Sequence, residues 1–119
     1  MDWVLFSCNL WKLCVAHAIT DCFLQDPKLF SVGFFKNPYN CEANKTFREA
    51  GHWPYWLLAH GLMNGLGVAI ATSSSGLGIA ETLAHIFIDY GKMQKWYNVH
   101  MDQAFHLLCK LGWAYVATT

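Results

Sequence analysis

The feature that most constrains this chain is a set of four apolar segments, at about residues 3–24, 54–73, 76–91 and 99–117, into which histidines and acids are set at a four-residue step. Residues four apart lie on one face of a helix. "HAITD" at 17–21, "HIFID" at 85–89 and "DQAFH" at 102–106 therefore each place a histidine and an aspartate on one face. Strand-like alternation is weak throughout, and each segment is long enough for a helix. The expectation is an all-α fold of four helices in a single domain over residues 1–119, with a long link at 26–53. Pro54 suits the first turn of the second helix, where its missing N–H would have no partner. The run Thr72-Ser73-Ser74-Ser75-Gly76 reads as a tight polar turn that makes helices two and three antiparallel neighbours. The long link carries Pro27, Gly33, Pro38 and Gly51, and Leu29, Phe30, Phe34 and Phe35 suit short pieces lying on a membrane surface.

Charge supply favours a membrane setting over a soluble bundle. Hydrophobic residues make up 55% of the 119 and charged residues 13%, roughly half the usual charged share. The formal net charge is zero, and no basic block or RNA-binding signature is present, so nucleic acid is excluded as a partner class. Lys28, Lys36, Lys45 and Arg48 fall in the first link, Lys92 and Lys95 in the third, and the second has no basic residue. The bias of Lys and Arg toward the cytoplasm then puts links one and three inside and both termini outside. Trp53, Tyr55, Trp56, Trp96 and Tyr97 fall where a cytoplasmic-side aromatic belt belongs. Gly61, Gly65 and Ala69 form a small-residue stripe suited to close helix packing. The acid at Asp2 stands where a signal peptide carries basic charge, so the first apolar run is expected to stay in the mature protein. The five cysteines, Cys8, Cys14, Cys22, Cys41 and Cys109, form no C-x-x-C pair and read as free thiols. Asn44-Lys45-Thr46 matches the glycosylation triplet but lies on the side assigned to the cytoplasm.

Antiparallel packing explains why H-x-x-x-D in the first and third segments becomes D-x-x-x-H in the fourth: the inversion sets like beside like. His17, His60, His85 and His106 then share one layer about two turns inside the helix ends. Asp21, Asp89 and Asp102 form a second layer one turn nearer the cytoplasm, about 6 Å away at 1.5 Å per residue. One turn deeper come Asn64, Glu81 and Lys110, of which Glu81 and Lys110 are expected to pair because an isolated charge there is costly. A single histidine on an apolar helix is more often a satisfied core residue than a ligand. Four at matched depth, three with an aspartate one turn away, match the ligand preferences of zinc first, then iron or manganese. The competing readings are a purely structural hydrogen-bonded core and axial haem ligation by histidine pairs, against which the nearby carboxylates argue. His52 and His100 read as solvated histidines at the rim. Gln25 and Gln103 stand beside the aspartates but are not counted among the site residues.

"AHAITDCFLQ", "LLAHGL", "LAHIFIDYGK" and "MDQAFHLL" together resemble a family of small polytopic membrane proteins of phages and bacteria, known as domain of unknown function 3307. The resemblance covers most of the chain outside the long link. It implies a membrane location, in a bacterium the inner membrane, and gives His17, Asp21, His60, His85, Asp89, Asp102 and His106 as motif matches. It supplies no activity. Lys12, Glu81 and Lys110 depart from its usual hydrophobic character.

The function expected from these residues is that of a metal-dependent membrane hydrolase acting at the cytoplasmic leaflet. Seven ligand candidates exceed the four of one zinc, so two ions, or one ion with an acid–base residue, suit the set. In that scheme histidines hold metal, and among Asp21, Asp89 and Asp102 one carboxylate bridges or orients while another takes a proton from metal-bound water. Basic residues of the first link would attract an anionic head group, which makes a phospholipid or lipid-linked phosphate a candidate substrate, with a soluble one equally suitable. The rival is a phage or bacterial membrane interaction protein with a structural polar or metal core, and a third reading is a haem or redox protein. Serine-nucleophile motifs, phosphate-cradling glycine loops and dinucleotide fingerprints are absent from the sequence.

Overall fold

A computed structural model of the chain describes residues 1–23 and 53–119. The expectations for Lys28, Lys36, Lys45, Arg48, Gln25, Cys41, the Asn44 triplet, His52 and the surface pieces of the first link lie outside the described residues. The described residues are all-α: α1 (Trp3–His17) runs on into a π-helical turn (Ala18–Phe23), and α2 (Trp53–Thr72), α3 (Ser75–Met93) and α4 (Val99–Thr118) follow. The four helices pack as a compact bundle in which α1 lies against α2 and α4, and α3 against α2 and α4.

Polar residues at the helix starts account for several boundaries. The Asp2 carboxylate accepts from the N–H groups of Val4 and Leu5, both at 3.0 Å. Ser74 accepts from Leu77 N–H at 3.2 Å, and Asn98 from Met101 N–H at 2.9 Å. Each such cap contributes about 1 kcal/mol by satisfying donors that the helix leaves open. Between α2 and α3 the chain turns through Ser73, whose φ of 56° lies in the left-handed region. The turn is held by a 3.2 Å bond from Ser74 N–H to Ala69 C=O.

The small-residue stripe sets how closely α2 and α3 approach. A Cβ added at Gly61 would stand 2.5 Å from Ile86 Cγ1, and one at Gly65 would stand 2.5 Å from the backbone oxygen of Gly78. A Cβ at Gly78 would in turn meet Ala69 Cβ at 2.8 Å. Only glycine lets the two backbones come this near, and that approach brings His60 of α2 onto His85 of α3.

Polarity in this bundle is inverted. Among the described residues the buried hydrophobic set is Leu13, Leu57, Val68, Ile88, Met93 and Ala114. The buried polar set is larger: Asn9, His17, Asp21, His60, Asn64, Glu81, His85, Asp89, Asp102, His106 and Lys110. Large apolar side chains line the outside instead, including Trp11 on α1, Leu62 and Leu66 on α2, Leu83 and Phe87 on α3, and Leu108 and Tyr115 on α4. By length and composition alone, one described stretch, Trp3–Asp21, is apolar enough to cross a membrane, a test that a soluble core helix or a signal sequence also passes. Of the polar residues that lower the hydropathy of the other three helices, His60, Asn64, Glu81, His85, Asp89, Asp102, His106 and Lys110 are buried.

Candidate metal centre

From one end inward, the bundle axis holds an apolar plug, an ion-pair layer, and a histidine–aspartate cluster. Leu13, Val68 and Ala114 form the plug, with Phe6, Leu10 and Trp113 packed against it. Below it Glu81 of α3 meets Lys110 of α4: the Lys110 ammonium donates to Glu81 Oε1 at 2.5 Å, and Trp113 Nε1–H donates to Oε2 at 2.6 Å. The pairing expected from the matched depth of Glu81 and Lys110 is present. His85 Nδ1 also contacts Glu81 Oε1, at 3.2 Å.

That last contact orients His85. A carboxylate only accepts, so the Nδ1 facing it carries a proton; Nε2 is then a lone pair in the neutral ring and a second donor in the charged one. His85 Nε2 points to His60 Nε2 at 2.9 Å, Asp21 Oδ1 at 3.2 Å and Asp89 Oδ2 at 3.5 Å. His60 Nε2 in turn lies 3.1 Å from Asp21 Oδ1 and 3.1 Å from Asp89 Oδ2. One ligand atom from each of Asp21, His60, His85 and Asp89 lies within 4.8 Å of all the others, and all four residues are buried. A tetrahedral zinc ion with ligands at 2.0–2.1 Å would space those ligands about 3.3–3.4 Å apart. Five of the six separations run from 2.9 to 3.5 Å, near that spacing and also at hydrogen-bond and ion-pair distance, so these residues could hold a metal ion.

The π-helical turn brings Asp21 to this group. Its i→i+5 bonding widens the helix, and both Thr20 and Asp21 lie in the widened turn. Thr20 Oγ1 donates to Asn64 Oδ1 at 2.7 Å, tying the turn to α2. Asn64 in turn donates to the backbone oxygen of His60 at 3.0 Å.

A second group adjoins the first. Asp89 turns its other oxygen, Oδ1, to His106 Nε2 at 3.1 Å, and Asp102 Oδ1 lies 3.5 Å from the same nitrogen. The His85 and His106 rings stack with centroids 4.2 Å apart. Asp102 Oδ2 receives Lys92 at 3.3 Å and Gln103 Nε2–H at 3.3 Å. Asp102 Oδ1 is buried and has no hydrogen-bond partner. Lys92 is partly open to the outside, with a side chain 29% exposed. Just beyond it, the Tyr97 hydroxyl donates to the backbone oxygen of Ile88. Burial holds that phenol above the ordinary tyrosine range, with Asp102 and Asp89 adding to the shift.

All seven residues singled out from sequence are buried, and six of them supply atoms to these ligand groups. His17 does not, for among the described residues no such group includes it. Its Nε2 instead meets Gln103 Oε1 at 3.2 Å and Asp21 Oδ2 at 3.5 Å. Nor do the histidines and aspartates form two separate layers. In each of His17–Asp21, His85–Asp89 and His106–Asp102 the two side chains approach to 3.5 Å, because helical side chains lean back toward the N-terminus and close a one-turn gap. His100 is exposed, as a rim histidine would be. Sequence reasoning missed Glu81 as the residue that orients His85, although its position four residues before that histidine signals it. It also missed Trp113 and Lys92 as partners of the acids. Cys8, Cys14 and Cys109 are free thiols.

No protein-family model, curated protein or solved structure matches this chain.

Proposed function

We propose that this protein is an integral membrane protein, an antiparallel four-helix bundle whose polar core holds a divalent metal ion, zinc foremost, on Asp21, His60, His85 and Asp89. The observation that carries the reading is the convergence of two imidazole nitrogens and two carboxylate oxygens at 2.9–3.5 Å. Glu81 orients one imidazole, with Nδ1 on the carboxylate and Nε2 inward, the carboxylate–histidine arrangement that accompanies metal ligation. A proton or a metal ion between the inward nitrogens and carboxylate oxygens would satisfy them, and the metal reading takes the latter. The membrane setting rests on the apolar exterior, on helices of 19 and 20 residues that span about 30 Å, and on the family resemblance, which points to a bacterial inner membrane. Gly61 against Ile86, Gly65 against Gly78 and Ala69 against Gly78 support the antiparallel course of α2 and α3.

The activity we propose is metal-dependent hydrolysis of a phosphate-containing substrate, lipid or soluble, at the cytoplasmic leaflet. Its support is Lys92, an ammonium that touches the acid cluster at Asp102 and is partly exposed, where an anionic group would meet it. The chemistry a bound divalent ion supplies is activation of water. The second reading, an interaction protein with a metal-free polar core, is favoured by one observation: the same histidines and aspartates also lie within ion-pair distance of each other.

Element-resolved metal analysis of the detergent-purified full chain, beside a His60→Ala, His85→Ala double variant, separates the two. Stoichiometric metal in the wild type that is lost in a folded variant is the expected result. A folded wild type that takes up no metal even after zinc supplementation overturns the metal reading and leaves the interaction protein.

A further inference from the structure

We propose that Asp89 bridges the first ion to a second one, held by Asp102 and His106 in a three-ligand position whose remaining coordination site is open to water or an anionic oxygen. This rests on the metal reading of the preceding section and adds a second site with a different role. The first group has four protein ligands, enough to close a tetrahedral ion completely, and closed sites are structural. An ion that activates water needs an open position, so the hydrolysis proposed above would fall to a second ion beside the four-ligand one.

The second group offers one. Asp89 presents Oδ2 to His60 and His85, at 3.1 and 3.5 Å, and Oδ1 to His106 at 3.1 Å. A carboxylate that turns one oxygen to each of two donor groups is the bridging ligand of paired-metal centres, whose ions stand about 3.5–4 Å apart. Asp89, Asp102 and His106 each give one ligand atom within 4.8 Å of the others, all three buried. The independent sign of a missing ligand is Asp102 Oδ1. It belongs to a fully buried residue and has no hydrogen-bond partner. Its nearest donor candidate, His106 Nε2, has at most one proton, and the shorter contact of that nitrogen is to Asp89. A buried carboxylate oxygen without a donor is destabilising, and a cation between Asp102, His106 and Asp89 would satisfy it.

The surroundings suit the division of roles. Gln103 Nε2–H reaches Asp21 Oδ2 at 3.2 Å and Asp102 Oδ2 at 3.3 Å, spanning the two groups and fixing both carboxylates. Lys92 stands on the Asp102 side with its ammonium partly exposed. An anionic oxygen ligand entering the open position would therefore meet a positive charge there. The ligand class is an oxyanion, with phosphate and phosphate esters the natural members.

The test is a Co²⁺ titration of the metal-stripped, detergent-purified full chain, read by visible absorption and by metal content after dialysis. The wild type should bind two equivalents, and His106→Ala should bind one while keeping the first set of bands. Inorganic phosphate should perturb the spectrum of the wild type and leave that of His106→Ala unchanged. Asp102→Asn, which keeps the side-chain shape, serves where His106→Ala fails to fold, and it too should bind one equivalent. Saturation of the wild type at one equivalent, abolished by His60→Ala with His85→Ala and untouched by His106→Ala, overturns the second site while the first stands. Two equivalents in both wild type and His106→Ala overturns the ligand assignment, and no binding by any form removes both sites together.

Discussion

Two polar regions lie a turn apart in the core of this bundle, and they solve the problem of buried charge in opposite ways. Glu81 brings its cation with it: its two oxygens receive Lys110, Trp113 and His85, so the region is complete as folded. Around the histidines, three aspartates converge, and among the described residues the one ammonium that reaches them is Lys92, at Asp102. Imidazoles and the Gln103 amide also meet them, and an imidazole supplies positive charge only when protonated or when it shares a metal. On the metal reading proposed above, one region is stable as folded and the other receives an ion. His85 joins them, with Nδ1 on Glu81 and Nε2 in the cluster.

The largest effect that separates the regions is expected from Glu81→Ala. It leaves the Lys110 ammonium buried without its carboxylate and should cost about 3–5 kcal/mol, measured by thermal or denaturant unfolding in detergent. Asp102→Asn in the metal-free protein should cost far less, since the Lys92 ammonium that it leaves is partly exposed to solvent. Equal losses from the two would erase the distinction.

Next in size is the response to zinc. A ligand that binds only the folded state stabilises it by about 2.7 kcal/mol at a hundred times its dissociation constant. The wild type should show a rise of that order, and His85→Ala a smaller one. A zinc-independent melting temperature in the wild type would place the histidine cluster in the same class as the Glu81 region.

The smallest effect probes the joint between them. Replacing the pair together, Glu81→Leu with Lys110→Leu, should leave the metal-free stability unchanged or raised, because well-packed apolar residues often do as well as a buried ion pair. It should still weaken zinc binding 10–100-fold, since His85 loses the carboxylate that orients it. Competition with a chromophoric chelator reads this directly, and unaltered affinity would show that Glu81 plays no part in presenting His85.

The fold and the composition of the cluster were legible because both rest on periodicity. Apolar segments without alternation define helices, and a four-residue step puts His85 with Asp89, and Asp102 with His106, on one face. The same rule led to Glu81 with Lys110, two charges at one depth that must meet. It also placed Gly61 and Gly65 on the face that closes onto α3. Where it failed, the reason is side-chain reach or local helix geometry, neither of which a spacing encodes. His17 has the same spacing to its aspartate as His85, yet it turns to Gln103, a residue on another helix. The π-helical turn at Ala18–Phe23 leaves no mark in the pattern of apolar residues, although it brings Thr20 to Asn64 and Asp21 to His60. The bridging posture of Asp89, one oxygen to each group, depends on a side-chain torsion and is visible only in three dimensions.

Anomalous diffraction at the zinc edge, from crystals of the full chain grown with zinc, tests the central claim most directly. The expected result is a peak about 2.0–2.2 Å from Asp21 Oδ1, His60 Nε2, His85 Nε2 and Asp89 Oδ2. Well-ordered density for those four side chains in zinc-saturated crystals, with no anomalous peak among them, would contradict it.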